Sequence, residues 1–207
     1  IRESPFKWIY KHAWMPTVDA ECQNEQWLDA YADTDAVLTY QDWSGETLKS
    51  ESGGKINWLG SACPAASEVF VPRDQKRCRE LLGLPQDAKI IGTVMRNQRR
   101  KLYPDLFKAF RTYLDESGRD DVFLYAHTSY PDNGWDIPDL IKENGLSSKV
   151  FTTYVCRAQD DNGNRVCQHA FSSTFQDVRV MCPRCGQPAA YLATVQHGID
   201  TDTLATL

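Results

Sequence analysis

Four of the seven cysteines, Cys156, Cys167, Cys182 and Cys185, crowd into one stretch, and this clustering constrains the fold more than any other feature of the chain. The last two lie in Met181-Cys-Pro-Arg-Cys-Gly186, a Cys-x-x-Cys knuckle whose following glycine lets the backbone turn so that amides approach the sulfurs. Such knuckles place two thiolates on one tetrahedral metal, most often zinc. The other half of the set must come from Cys156, Cys167 or His169. Between the first two cysteines runs Asp160-Asp-Asn-Gly-Asn164, and Asn-Gly between strand-like flanks is a strong hairpin signal. A hairpin through Asn162-Gly163 brings Cys156 and Cys167 together facing the knuckle. The expected ligand set is therefore the four cysteines, with His169 as the alternative ligand. Four thiolates close the coordination shell, so the expected zinc is structural, not catalytic.

A redox Cys-x-x-Cys sits at the start of a helix after a strand and does not need two companion cysteines. Cys22, Cys63 and Cys78 share no common spacing, and an odd total of seven is not the density of a secreted disulfide scaffold. The reading is a reducing, cytoplasmic compartment with one metal site. With 207 residues, 42% hydrophobic and 25% charged, the chain can bury a substantial core, and no run of 18 apolar residues offers a membrane span. A net charge of -5 argues against a broad nucleic-acid surface. The chain opens on Ile1 and stops inside a helix-like Thr201-Asp-Thr-Leu-Ala-Thr-Leu207, so it is read as an internal fragment.

Upstream of the cysteines, strands alternate with helices. The first part carries the apolar Trp8-Ile-Tyr10, a helical Asn24 to Tyr31, and strands at Ala36 to Tyr40 and Lys55 to Leu59. From Pro72 the rhythm is regular: a helix at Asp74 to Leu82, a strand at Lys89 to Met95, and a helix from Pro104 to Leu114 with Leu106, Phe107, Phe110 and Leu114 on one face. A strand at Val122 to Ala126, a helix from Pro138 to Asn144 stopped by Gly145, and a strand at Lys149 to Val155 follow. The fold class is α/β, with a doubly wound parallel sheet of Rossmann-like type.

Between the strand ending at Met95 and the helix from Pro104 lies the basic loop Arg96-Asn-Gln-Arg-Arg-Lys101. In open α/β sheets ligands bind beyond the carboxyl ends of strands, and cations there can clamp a diphosphate. Arg96 sits at the strand end and Lys101 just before the helix, within reach of one phosphate pair. As an isolated cluster, such a loop also reads as a solvated face. His12 and His127, each at the end of a strand, and Trp43 and Trp135 read as core-packing residues as readily as ligand contacts.

Several of these segments resemble the junction between the two lobes of a GT-B glycosyltransferase: Cys63-Pro-Ala-Ala-Ser-Glu-Val-Phe-Val-Pro-Arg73, Cys78-Arg-Glu-Leu-Leu-Gly-Leu-Pro85, Ile91-Gly-Thr-Val-Met-Arg-Asn-Gln-Arg-Arg-Lys101 and Leu106-Phe-Lys-Ala-Phe110. The likeness is to the retaining, glycogen-synthase-like group 1 branch, and Val195 to Leu207 is similar to the segment opening that family's next helix. In the family a phosphate-site Arg is followed five residues later by a Lys, which matches Arg96 and Lys101. The usual Gly after that Lys is Leu102 here, and the customary Asn-Gly-Val-Asp is Gly60-Ser-Ala-Cys63.

The resemblance implies four parts. Residues 1–70 are the C-terminal part of a first lobe, 71–155 the first half of the nucleotide-sugar donor lobe, 156–190 a zinc-ribbon-like insertion, and 191–207 a truncated return to the second lobe. It implies transfer of a sugar from a nucleotide-sugar donor to an acceptor, with Arg96 and Lys101 on the donor phosphates and His12 as a substrate-binding candidate. The partner is then the remainder of a parent enzyme, and the isolated fragment is expected to be inactive. The competing reading is a non-catalytic α/β scaffold whose zinc ribbon binds protein or nucleic acid. Around the ribbon, Arg157, Arg165, Arg179 and Arg184 are nearly balanced by Asp160, Asp161 and Asp177, so no specific nucleic acid is expected.

Overall fold

A computed structural model describes residues 5–6 and 9–206. The chain forms two compact units, Ile1–Ser67 and Glu68–Leu207. The first holds a parallel sheet of β1 (Ala13–Trp14), β2 (Ala36–Thr39) and β3 (Trp58–Ser61), in that order. Helices α1 (Glu25–Ala32) and α2 (Asp42–Glu51) make the crossovers. Asn24 starts α1 by accepting from the Gln26 amide at 2.8 Å. Val18, Leu28, Val37, Leu48 and Ile56 form the core.

Two expectations shift here. Trp8 of the apolar segment lies outside the described residues, and Ile9 and Tyr10 are exposed turn residues, so the strand starts only at Ala13. Helix α2 has no apolar signature because Gly45 lies on its buried side, where a Cβ would come within 2.0 Å of the Trp58 indole. The preceding Gly53 and Gly54 both take positive φ and turn the chain, which delays β3 to Trp58 instead of Lys55.

The second unit runs α3 (Gln75–Leu82), β4 (Lys89–Val94), a 3-10 turn (Arg99–Lys101), α4 (Tyr103–Ser117), β5 (Val122–His127), α5 (Ile137–Glu143), β6 (Val150–Cys156), β7 (Ala170–Thr174), β8 (Arg179–Val180), β9 (Ala190–Leu192) and α6 (Thr201–Leu204). Asp74 caps α3, accepting from Arg77 N at 2.7 Å, and Gly83 ends it at φ 70°. Strands β4, β5 and β6 are parallel, with Lys89 to Val94 in register with Val122 to His127. β6 is then paired antiparallel by β7 along one edge, and by β9 beyond β5. β8 extends β9.

The sheet is therefore mixed, not wholly parallel, and the cysteine segment is built onto it. Every residue of β6 is buried, and Cys156 is its last residue. The main core joins Tyr103, Phe107, Phe110 and Leu114 of α4 and Ile137 and Ile141 of α5 to Leu124, Val150 and Tyr154 of the sheet. It continues without a break into Cys156, Cys167, Cys182, Ala190 and Leu192. On the opposite face Leu82 and Leu84 cover Tyr125 and Phe151. Among the described residues no helix is long and apolar enough to cross a membrane.

Candidate functional site

The hairpin after β6 forms at the expected Asn-Gly. Asp160 N donates to Asn164 O at 2.9 Å, Gln159 bridges Arg165, and Gly163 turns at φ 81°. Its return arm is held by Val166 N to Ala158 O and Cys156 N to His169 O, both at 2.9 Å. This places Cys156 beside Cys167. The knuckle closes with Gly186 N on Cys182 O at 2.9 Å, and Gly186 takes φ 70°.

The four Sγ atoms all lie within 4.8 Å of one another, with Cys156 to Cys185 at 3.6 Å and Cys167 to Cys182 at 3.9 Å. A regular tetrahedron with metal–sulfur bonds of about 2.3 Å has edges of about 3.8 Å, so these spacings fit one zinc ion. They are far too long for disulfides, which have sulfurs about 2.05 Å apart. Burial pushes the Cys156 thiol up to about 12. Burial also acts against the Cys182 thiolate, but backbone amides of Cys185 and Arg184 donate to its sulfur, and the outcome is a lowered pKa. These are the amides that the knuckle turn was expected to supply. His169 stands outside the cluster, its ring stacked on Phe171 at 5.7 Å. The alternative ligand is thus not brought to the sulfurs. Four clustered cysteines that can bind a metal such as zinc are the outcome.

The second feature is a crevice of about 290 Å³ at the carboxyl ends of β4 and β5, lined among others by Met95, Arg96, His127, Ser129, Thr194 and Gly198. Arg96 belongs to it, but Lys101 does not. Lys101 lies in the 3-10 turn, and the expected pairing of the two cations on one phosphate pair has no counterpart in the lining of this crevice. Arg96 is also not a free cation. Its Nε and Nη2 donate to Asp132 at 2.8 and 3.0 Å. Asp132 accepts further bonds from Ser129 Oγ at 2.5 Å and Asn133 N at 2.8 Å. The guanidinium, followed by the Ser129 hydroxyl, holds the Asp132 carboxyl well below the usual carboxylate range.

The loop carrying Asp132 is clipped to the basic loop by fully buried Asn97, which donates from Nδ2 to Trp135 O at 2.8 Å and accepts from Trp135 N at 2.9 Å. The close approach requires Gly134, where a Cβ would fall 2.1 Å from Asn97 Oδ1. Trp135 packs on the core and carries Arg99 over its ring at 5.0 Å, so Arg99 turns away from the crevice. Asp132 and Asn97 were not picked out in the sequence. Their signals are faint: a turn-forming Asp-Asn-Gly after Ser129, and an asparagine among cations.

His12 precedes β1 in the other unit. Its amide donates to Asp35 Oδ2 at 2.8 Å, and its ring lies 5.8 Å from Trp14. Trp43 is an exposed surface residue whose indole donates to Gln41. No protein-family model matches the chain, and no curated protein aligns significantly with it.

Proposed function

We propose that this chain is part of a nucleotide-sugar-dependent glycosyltransferase of two-lobed GT-B architecture, of the retaining, glycogen-synthase-like kind, with a zinc-stapled insertion in its donor lobe. The observation that carries the reading is the placement of Arg96 in a crevice beyond the carboxyl ends of two parallel strands, where open α/β sheets bind ligands. Asp132 occupies two of the five guanidinium N–H donors and leaves three for phosphate oxygens. A guanidinium fixed in this way meets growing negative charge on a leaving diphosphate without reorganising. Lys101 adds a positive charge at the entry to α4. In this reading the metal has no part in the transfer. It holds the β7–β9 extension on the sheet.

The test is a titration of isotope-labelled, zinc-loaded protein with nucleoside diphosphates and their sugar conjugates. Amide shifts should change at residues 94–101 and 127–129, and the response should disappear in Arg96→Gln. Binding that is absent at millimolar ligand, or that maps only to the cysteine segment, would remove the donor-lobe reading and leave the metal-stapled scaffold.

A further inference from the structure

A row of hydroxyls crosses the buried sheet and ends in the crevice. Tyr125 and His127 of β5, Thr153 of β6 and Ser172 of β7 share one face, since residues alternate along each strand and Thr153 is in register with Ser172. Ser172 Oγ lies 2.7 Å from the Tyr125 hydroxyl, which lies 2.8 Å from Thr153 Oγ1, which lies 2.8 Å from His127 Nδ1. Tyr125, Thr153 and Ser172 are all buried.

Three bonds must be shared among three hydroxyl protons and one imidazole. If the chain runs from Ser172 to Tyr125 to Thr153 to His127 Nδ1, every hydroxyl proton has an acceptor. In the reverse direction the imidazole donates, and the Ser172 proton is left over in a buried position, with no further partner for Ser172 Oγ among the described residues. Leaving a buried donor unpaired is costly, so the first direction wins. Nδ1 is then the acceptor, and the ring proton sits on Nε2, the nitrogen not engaged by the row. Burial lowers the His127 pKa, which favours the neutral ring.

We propose that His127 is held as the Nε2–H tautomer by this row of hydroxyls and donates that hydrogen bond to a phosphate oxygen of the ligand in the crevice. It is a neutral donor in the same crevice as the Arg96 cation. The inference rests on the crevice being the ligand site. Its chemistry is distinct from the cationic clamp, because the imidazole adds direction without adding charge. Tyr125, Thr153 and Ser172 are positioning residues that act through His127.

The tautomer can be read without any ligand. Proton–nitrogen correlation of the His127 ring in the zinc-loaded protein should show a protonated Nε2 and an unprotonated Nδ1. Thr153→Val, which removes the hydroxyl that donates to Nδ1 but keeps the ring, should bring in the other tautomer. A protonated Nδ1 in the unaltered protein would overturn the proposal. Titration with inorganic pyrophosphate supplies the second arm. His127→Ala should weaken binding by about threefold to tenfold, the range for one hydrogen bond, and His127→Gln, which keeps a side-chain N–H donor, should recover part of it. Binding that is unchanged in His127→Ala would overturn the donor role while leaving the crevice reading intact. No pyrophosphate binding by the unaltered protein would overturn both.

Discussion

Asp132 grips Arg96 through both carboxylate oxygens, at 2.8 Å to Nε and 3.0 Å to Nη2, with the carboxylate side chain 3% exposed and the guanidinium side chain 49% exposed. This pair decides where the Arg96 cation can act. It fixes the fork of a long side chain at the mouth of the crevice and presents its remaining donors outward.

Its pH dependence follows in sign from the depressed Asp132 pKa. A carboxyl whose folded pKa lies below its unfolded value, about 3.9, contributes stability that is complete above the unfolded pKa. That contribution is lost as pH falls through the folded value. Urea midpoints measured between pH 6 and about pH 2 should therefore fall more steeply for the unaltered protein than for Asp132→Asn. Identical slopes would mean that the pair adds nothing to the fold.

Purified protein should carry close to one zinc per chain, because four cysteine sulfurs, three of them on buried residues, converge at tetrahedral spacing. Cys182→Ser should lower the occupancy. Since Cys156, Cys167 and Cys182 are the end of the same apolar core that holds α4 and α5, metal loss should not stay local. Hydrogen exchange should speed up first at Cys156, Val166, Cys182 and Gly186, and then along β7 and β9, while β4 and the helix α4 stay protected. Elemental analysis and amide exchange check this, and full zinc occupancy in Cys182→Ser would remove that residue from the ligand set.

The legible part of this fold is the part written in local chemistry. Asn24, Asp74, Gly83 and Gly145 mark helix ends by capping and left-handed turns, and the face of α4 is visible as Phe107, Phe110 and Leu114. The four-sulfur cluster was readable because a knuckle and an Asn-Gly hairpin leave few arrangements. Strands β7, β8 and β9 were not, since they are short and join the sheet only through distant partners, β7 and β9 on β6 and β8 on β9. Asp132 was invisible for a similar reason: its partner lies 36 positions away, and nothing local distinguishes it from a turn aspartate. Tyr125, Thr153 and Ser172 look like ordinary strand residues until the register aligns their hydroxyls.

Leu102, which stands where the resembled family has glycine, adopts φ 49° and ψ 45°, the left-handed region. The backbone turn is thus kept although the residue suited to it is not. A side chain in that region is strained by about 1–2 kcal/mol, and 55% of Leu102 is exposed, so little packing would be lost on its removal. Leu102→Gly should stabilise the protein by about 0.5–1 kcal/mol after the greater flexibility of unfolded glycine is counted. The melting temperature should rise by about 1–4 °C. A lower melting temperature would show that the Leu102 side chain contributes more to packing than its exposure suggests.

Three of the four cations of the basic loop now separate into distinct roles that substitution can resolve. Arg96 lines the crevice, Arg99 lies over the Trp135 ring, and Lys101 sits in the 3-10 turn outside the crevice lining. Arg96→Ala removes a charge-assisted contact, typically about 1.5–3 kcal/mol, and should weaken nucleoside diphosphate binding on the order of tenfold or more. Lys101→Ala should weaken it less, by a few fold, and the loss should shrink as salt rises, because a charge acting through solvent is screened beyond about 8–10 Å. Arg99→Ala should lower stability through the lost contact with Trp135 and leave binding nearly unchanged. Isothermal titration at two ionic strengths, set beside thermal melts of the same proteins, distinguishes these outcomes. Equal losses for all three substitutions, all abolished by salt, would reduce the loop to a diffuse positive field. A large, salt-resistant loss in Arg96→Ala alone would tie the site to the geometry that Asp132 imposes.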